Sequence, residues 1–95
     1  MLPGLPTPPI CASSKTAAGE HAGGRVRINA ICPGGTDTPL LRASIGRDAE
    51  VGDRWATRPM STADDVAAAA LWLCSDAARS VSGVALVVDR GAMFA

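Results

Sequence analysis

The chain is poor in large aromatic residues, so it has few side chains that can fill a core. Its 95 residues include two Trp, one Phe and no Tyr, although 47% of them are hydrophobic. Alanine and glycine supply much of the apolar fraction. This composition is typical of one small globular domain and excludes a disordered chain.

The sequence also lacks an excess of either charge, since nine Lys and Arg balance nine Asp and Glu. No basic cluster is long enough to attract nucleic acid, and no apolar run approaches the length of a membrane span. Residues 1–10 carry four prolines and no basic start, which excludes a secretory signal. The three cysteines are odd in number and widely spaced, which indicates reduced thiols and a cytoplasmic location. They form no close ligand pair with the single His21, so no metal site is expected.

The most informative stretch is RVRINAICPGGTDTP, residues 25–39. Its apolar, β-branched run at residues 26–32 predicts a strand, and Pro33 with the two following glycines ends it. Three polar side chains follow at once, namely Thr36, Asp37 and Thr38. A loop of this kind at the carboxyl end of a strand is where open α/β sheets build ligand sites.

A helix is predicted at residues 62–75, with Thr62 as N-cap and Asp65 at the capping-box position. Its sheet-facing stripe is predicted to carry Val66, Ala67, Ala70, Leu73 and Cys74. Trp72 points to the opposite side, where it either contacts another chain or packs under residues 40–58.

A second strand is predicted at residues 84–88, and it is apolar enough to be covered on both faces. With the first strand and the helix it forms a β–α–β unit with parallel strands, which places the chain in the α/β class. Two strands and one good helix cannot cover both faces of a sheet, so we expect the isolated chain to be marginally stable.

Residues 27–39, RINAICPGGTDTP, resemble the Arg-Val/Ile-Asn-x-Val/Ile-x-Pro-Gly segment, and the Thr that follows it, of the short-chain dehydrogenase/reductase family. The later runs DDVAAAALWLCSD, VSG and ALVVD resemble its last helix and strand, so the likeness covers residues 11–91, with Arg90 replacing a usual glycine. It implies a Rossmann-type fold, incomplete here, and hydride transfer between NAD or NADP and a small-molecule carbonyl or alcohol.

The resemblance implies that Pro33, Gly34, Thr36 and Thr38 bind the cofactor. In the family, the backbone at the first two positions and the hydroxyl at the last contact nicotinamide and pyrophosphate. Thr36 stands where a Val or Ile backbone often meets the carboxamide. In the alternative interpretation, Thr36 and Thr38 only cap the turn and Asp37 is solvated.

The segment CASSK, from Cys11 to Lys15, occupies the place of the family's Tyr-x-x-x-Lys pair. Lys15 is therefore the catalytic candidate and would hold the nicotinamide ribose. Cys11 replaces the Tyr, and a thiol is a poor proton donor. The following residues, 16–24, contain three glycines and predict a poor helix, about three turns shorter than in the family. Either a segment is deleted here, or the likeness around Lys15 is due to chance.

The predicted organisation is a Pro-rich arm at residues 1–10 and the C-terminal part of a Rossmann-type oxidoreductase domain at residues 11–95. Residues 40–58 resemble the family's variable substrate-covering region. The Gly-rich dinucleotide fingerprint and the catalytic Ser of the family do not occur in these residues. The chain is thus expected to be a fragment that is inactive alone. The alternative is a non-enzymatic interaction module, or a truncated gene product, that pairs with full-length relatives or copies of itself through residues 62–75 and 84–88.

Overall fold

The computed structural model describes residues 9–55 and 58–92. In chain order the elements are α1 (Pro9–Glu20), β1 (Ala30–Pro33), β2 (Thr36–Asp37), α2 (Pro39–Arg47), α3 (Ala49–Trp55), β3 (Ser61–Thr62), α4 (Ala63–Leu73), a short 3₁₀ turn (Asp76–Ala78) and β4 (Ala85–Val88). Within this part of the chain, no helix is both long and apolar enough to cross a membrane. The predicted Pro-rich arm falls outside the described residues, except for the two positions that begin α1.

The four strands form two small parallel sheets. β1 and β4 are hydrogen-bonded neighbours. Ala30 N donates to Val84 O at 2.9 Å, and Gly34 N donates to Val88 O at 3.1 Å. Both strands advance together in the same direction, so the predicted parallel pair is confirmed, and with it the α/β class. β2 pairs with β3 in a second parallel sheet that was not predicted, because two-residue strands carry no periodicity.

The predicted strand at residues 26–32 is wrong at its start, because β1 begins at Ala30. Before that point, one backbone bond, from Gly83 N to Ile28 O at 2.8 Å, is supplemented by side-chain bonds. Asn29 Nδ2 donates to Val81 O, and Asn29 Oδ1 accepts from Val84 N, both at 3.0 Å. An amide side chain that donates and accepts in this way forms the same kinds of hydrogen bond as a backbone N–H and C=O. The extended chain is therefore held without being part of the sheet.

The prediction of a poor helix at residues 16–24 is wrong for its first part, since α1 continues to Glu20. Pro9 opens the helix, where its fixed φ is suitable and its missing N–H costs nothing. The alanines that follow are strong helix formers, and Gly19 falls only in the last turn. The chain then turns at Gly23, which has a φ of +77°.

The predicted N-cap of α4 is confirmed. Asp65 N donates to Thr62 Oγ1 at 3.1 Å, and Thr62 N donates to Asp65 Oδ2 at 2.9 Å, which is a reciprocal capping box. The hydrogen bonds from Thr62 to the carboxylate lower the pKa of Asp65 below its ordinary value of 3.8. The start of this helix is therefore fixed by its own first turn.

The predicted sheet-facing stripe of α4 is partly wrong. Leu73 is buried as expected, but Ala67 and Cys74 are exposed. The covered face carries Val66, Ala69, Ala70 and Leu73. This spacing is typical of a narrow apolar stripe on a helix, and the predicted stripe was too wide. Trp72 is exposed, which corresponds to the first of the two alternatives given for it.

The described residues form two compact units. The first unit holds the residues up to Cys32 together with Ala70–Leu86, and the second holds Pro33–Ala69 together with the residues from Val87 onward. β4, predicted to be covered on both faces, is only half-buried along its length. Among the described residues, the fully buried apolar side chains are small, namely Cys11, Ala18, Ala30, Ala78 and Ala92, with Leu73 the largest. Small buried side chains give little hydrophobic stabilisation.

Candidate functional site

The second unit contains a groove of about 540 Å³ at the carboxyl end of β1. Its walls are formed by Pro33, Gly34, Gly35, Thr36, Thr38, Leu40, Leu41 and Ser44. All four residues that the resemblance assigned to the cofactor lie on this surface. The remaining wall comes from the first turns of α2, within the segment that resembles a substrate-covering region. We call this surface the β1 groove.

Gly34 allows the chain to pass very close to the turn after β4. A Cβ built on Gly34 would lie 2.5 Å from the Cβ of Asp89, well inside van der Waals contact. Its N–H is already bound to Val88 O at 3.1 Å. The amide expected to be open to a ligand is therefore used by the sheet, and Gly34 shapes the groove through close packing.

Thr36 lies on the wall that β2 forms. Its hydroxyl donates to Gly34 O at 3.2 Å, and the neighbouring Gly35 O accepts from Ser61 N at 3.0 Å. Ser61 is 1% exposed. The pairing of β2 with β3 and the hydroxyl bond fix this turn from both sides. For the Thr36 side chain, the geometry corresponds to the turn-capping alternative.

Thr38 is the N-cap of α2, and it also faces the β1 groove. Its Oγ1 accepts from Leu41 N at 3.3 Å, and Pro39 occupies the first helical position. A hydroxyl that accepts a hydrogen bond still has its own hydrogen to donate to a ligand. The N-terminus of α2 adds partial positive charge at this end of the groove. A Thr-Pro pair is a known helix-start signal, and it could have located α2 from the sequence.

Asp37 is not simply solvated, so that part of the alternative interpretation is wrong. Its carboxylate forms a bidentate pair with the guanidinium of Arg42, whose Nη2 lies 2.8 Å from Oδ2 and whose Nε contacts Oδ1. The hydrogen bond to Arg42 lowers the pKa of the Asp37 carboxyl below its ordinary value. The pair leaves no net charge beside Thr38, which makes the position less repulsive to an anionic ligand.

Lys15 and Cys11 belong to the first unit, on α1. The Lys15 ammonium donates to Gly83 O at 2.7 Å and retains two further N–H groups. Cys11 is 1% exposed, and its Sγ lies 3.4 Å from the Sγ of Cys32. A thiol buried in this way offers no open proton donor at the position that the resemblance assigned to the family's Tyr. The β1 groove thus gathers four of the five predicted site residues, and Lys15 is not among its walls.

A second cavity, of about 250 Å³, lies in the first unit. It is lined by Arg27, Asn29, Ile31, Ala70, Leu73 and Cys74. Its polar groups already bind the chain's own carbonyls, because Arg27 donates to Val81 O at 3.1 Å and to Ser75 O at 3.4 Å. The hydrogen bonds of Arg27 at this cavity therefore hold the first unit together.

Comparison with known proteins agrees with the motif around β1. The family model described as Enoyl-(Acyl carrier protein) reductase matches residues 9–93. The chain belongs to the short-chain dehydrogenase/reductase family. The resemblance drawn from the sequence is therefore confirmed over nearly all of the chain.

Among curated short-chain dehydrogenase/reductase relatives, momilactone A synthase of Oryza sativa subsp. japonica is 41% identical over 85 residues, and 3beta-hydroxysteroid dehydrogenase 1 of Eggerthella lenta is 43% identical over 84 residues. Each match covers 82% of this chain and 31% of the relative. A solved structure from Agrobacterium tumefaciens, described as a 2-deoxy-d-gluconate 3-dehydrogenase with bound NADP, is 32% identical with a TM-score of 0.73. It is matched over 90% of this chain and 36% of its own. The chain thus spans about a third of the length of these relatives.

Proposed function

We propose that the β1 groove binds the nicotinamide end of NAD or NADP as part of a short-chain dehydrogenase/reductase type oxidoreductase. The observation that supports this is the gathering of Pro33, Gly34, Thr36 and Thr38 on one surface of about 540 Å³. That volume falls within the range of small-molecule sites, roughly 300–1,000 Å³. The bound cofactor would supply the hydride chemistry.

The residues of the groove fit this group chemically. The Thr38 hydroxyl hydrogen would be donated to a carboxamide or phosphate oxygen. The N-terminus of α2 favours an anion, and the Asp37–Arg42 pair removes a repulsive charge beside it. Leu40 and Leu41 supply apolar contact for a planar ring. Gly34 preserves the opening, because a side chain at that position would displace the turn at Asp89.

We further propose that the 95-residue chain does not transfer hydride by itself. Cys11 replaces the proton-donating Tyr of the family and is buried against Cys32. The Lys15 ammonium is bound to Gly83 O. The substrates of the parent activity would be small carbonyl or alcohol compounds, the class to which the substrates of hydroxysteroid and sugar-acid dehydrogenases belong.

The proposal is tested with purified chain and nicotinamide mononucleotide, with binding followed by saturation-transfer NMR. We expect weak binding, with a Kd on the order of 1 mM, because only one end of the cofactor site is present. Thr38→Val removes the donor and should reduce the signal severalfold, whereas Thr16→Val on the exposed face of α1 should not. Equal binding by the Thr38 variant, or turnover of NADH with a ketone by the chain alone, would contradict the proposal.

A second candidate is an interaction module, which the surface of α4 favours. Leu71 is 74% exposed and Trp72 is 46% exposed on adjacent positions of this helix. Exposed large apolar residues of this kind are typical of contact surfaces. Size-exclusion chromatography of the chain with a full-length relative tests it. Co-elution that is lost in Trp72→Ala but kept in Ile10→Ala would support the module, and separate elution of the two proteins would remove it.

A further inference from the structure

Two cysteines far apart in sequence meet in the first unit. Cys11 lies in the first turn of α1 and Cys32 in β1, 21 positions further along the chain. Their sulfur atoms are 3.4 Å apart, at van der Waals contact, and both thiols are free. Neither the proposed cofactor groove nor the family resemblance assigns a function to this pair.

We propose that Cys11 and Cys32 form a redox pair that closes to an intrachain disulfide when a low-molecular-weight disulfide, such as oxidised glutathione, is present. Closure would tie α1 to β1 at the position where the family has its Tyr. The inference goes beyond the proposed cofactor site and does not depend on it.

The two thiols differ in access, which fixes the order of events. Cys11 is 1% exposed, so it cannot meet a tripeptide, whereas Cys32 is half-buried. The Cys32 thiolate therefore attacks a sulfur of oxidised glutathione and releases one glutathione thiolate, which takes up a proton. The Cys11 thiolate then attacks Cys32 Sγ in the mixed disulfide and releases the second glutathione. Two protein S–H bonds are lost, one S–S bond forms, and one glutathione disulfide is reduced to two thiols.

The surroundings of the pair set its rate. Burial, the Cys11 hydrogen bond and the Cys11 charge raise the pKa of the Cys32 thiol, and the ammonium of Lys15 on α1 opposes that shift. Because the thiolate is the attacking species, the first step should be slow at neutral pH and faster in alkali. The second step should be fast, because the sulfur atoms are already in contact.

The third cysteine provides the comparison. Cys74 is exposed and belongs to the same unit. The test is to oxidise the 95-residue chain with oxidised glutathione, once in native buffer and once in concentrated urea, and to map the disulfides by peptide mass spectrometry. We expect the Cys11–Cys32 product to dominate in native buffer, because the two sulfur atoms are already in contact there, whereas in urea the three cysteines should pair without this preference. The Cys74→Ser variant should give the same product at the same rate.

A variant without Cys11 distinguishes disulfide closure from simple modification of Cys32 by glutathione. Cys11→Ser should stop at a stable mixed disulfide between glutathione and Cys32, because the resolving thiol is gone. The proposal is overturned if the share of the Cys11–Cys32 product in native buffer does not exceed that in urea. It is equally overturned if the wild-type chain accumulates the mixed disulfide at Cys32. Both results come from the wild-type chain, so they stand even if the Cys11 variant fails to fold.

Discussion

The two units use the family motif in different ways. In the first unit, the motif side chains of Arg27 and Asn29 bind carbonyl groups of the chain between Ser75 and Val81. In the second unit, the motif residues that follow β1 line an open groove of about 540 Å³. One continuous sequence motif therefore contains a part that holds the fold and a part that presents a surface to a ligand.

This difference shows that agreement with a family pattern does not by itself identify a binding residue. Asn29 belongs to the motif as much as Thr38 does, yet its amide donates to Val81 O and accepts from Val84 N. Thr38 keeps a hydroxyl hydrogen that it can donate. The division predicts that substitutions before β1 change stability without changing the groove, whereas substitutions after β1 change the groove, in addition to any effect on stability.

The largest effect is expected at Asn29. Asn29→Ala leaves the Val84 N–H without its side-chain acceptor and should lower the free energy of unfolding by about 2 kcal/mol, measured by urea titration. Asn29→Asp keeps the acceptor for Val84 N but sets a carboxylate oxygen where Nδ2 donates to Val81 O, so two acceptors would face each other. It should therefore destabilise the chain as well. Wild-type stability in either variant would show that Asn29 does not act through these bonds.

The next effect is expected at Gly34. Gly34→Ala places a methyl group 2.5 Å from the Asp89 Cβ, and the forced shift should cost about 1–3 kcal/mol. Gly46→Ala is the matched control, because it lies in α2 with no atom near its Cβ. That control should stabilise the chain by up to about 1 kcal/mol through helix propensity. Thermal unfolding followed by circular dichroism measures both, and a neutral Gly34→Ala would exclude the close approach.

A smaller effect, this time an increase in stability, is expected from substitution of Arg90. This residue has a φ of +56°, in the left-handed region, and Gly91 after it has a φ of +81°. Arg90→Gly should relieve strain and raise the free energy of unfolding by about 1 kcal/mol. Arg90→Ala keeps the strain and loses the ion pair with Asp65, at 3.5 Å, so it should not stabilise. If both variants lower the melting temperature, the ion pair outweighs the strain.

The smallest expected effect is the loss of stability in acid that arises at the start of α4. The pKa of Asp65 is lowered by its bonds with Thr62, so the ionised carboxylate stabilises the folded chain. That contribution is complete above the ordinary pKa of 3.8 and is lost as the pH falls from there through the lowered value. The melting temperature of the wild type should therefore exceed that of Asp65→Asn by less in acid than at neutral pH. A difference that stays constant below pH 3.8 would contradict the capping role, and Asp64→Asn serves as the first-turn control.

The sequence predicted the features that depend on local chemistry. The capping box of Thr62 and Asp65 requires only four consecutive residues, so it could be predicted correctly. The parallel pairing of the two longer strands followed from the crossover between them. The predicted strand at residues 26–32 begins too early. Side-chain hydrogen bonds of Asn29 hold the extended chain before β1, and no periodicity of the sequence reveals such bonds.

Contacts between distant residues could not be predicted. The Cys11–Cys32 contact joins positions 21 apart, which no local pattern reveals. The Asp37–Arg42 pair is local, and the Thr-Pro start of α2 could have indicated it. The poor-helix prediction at residues 16–24 gave too much weight to Gly19 and too little to the alanines before it. The cofactor residues were assigned by resemblance, and their common surface depends on β2 pairing with β3.

The most direct test of the account is to map nicotinamide mononucleotide onto the chain by backbone-amide NMR. We predict that titration shifts amide signals of residues 34–44, which surround the β1 groove, and leaves those of residues 75–83 in the first unit unchanged. Shifts centred on residues 75–83, with residues 34–44 unmoved, would contradict the assignment of the ligand surface to the second unit.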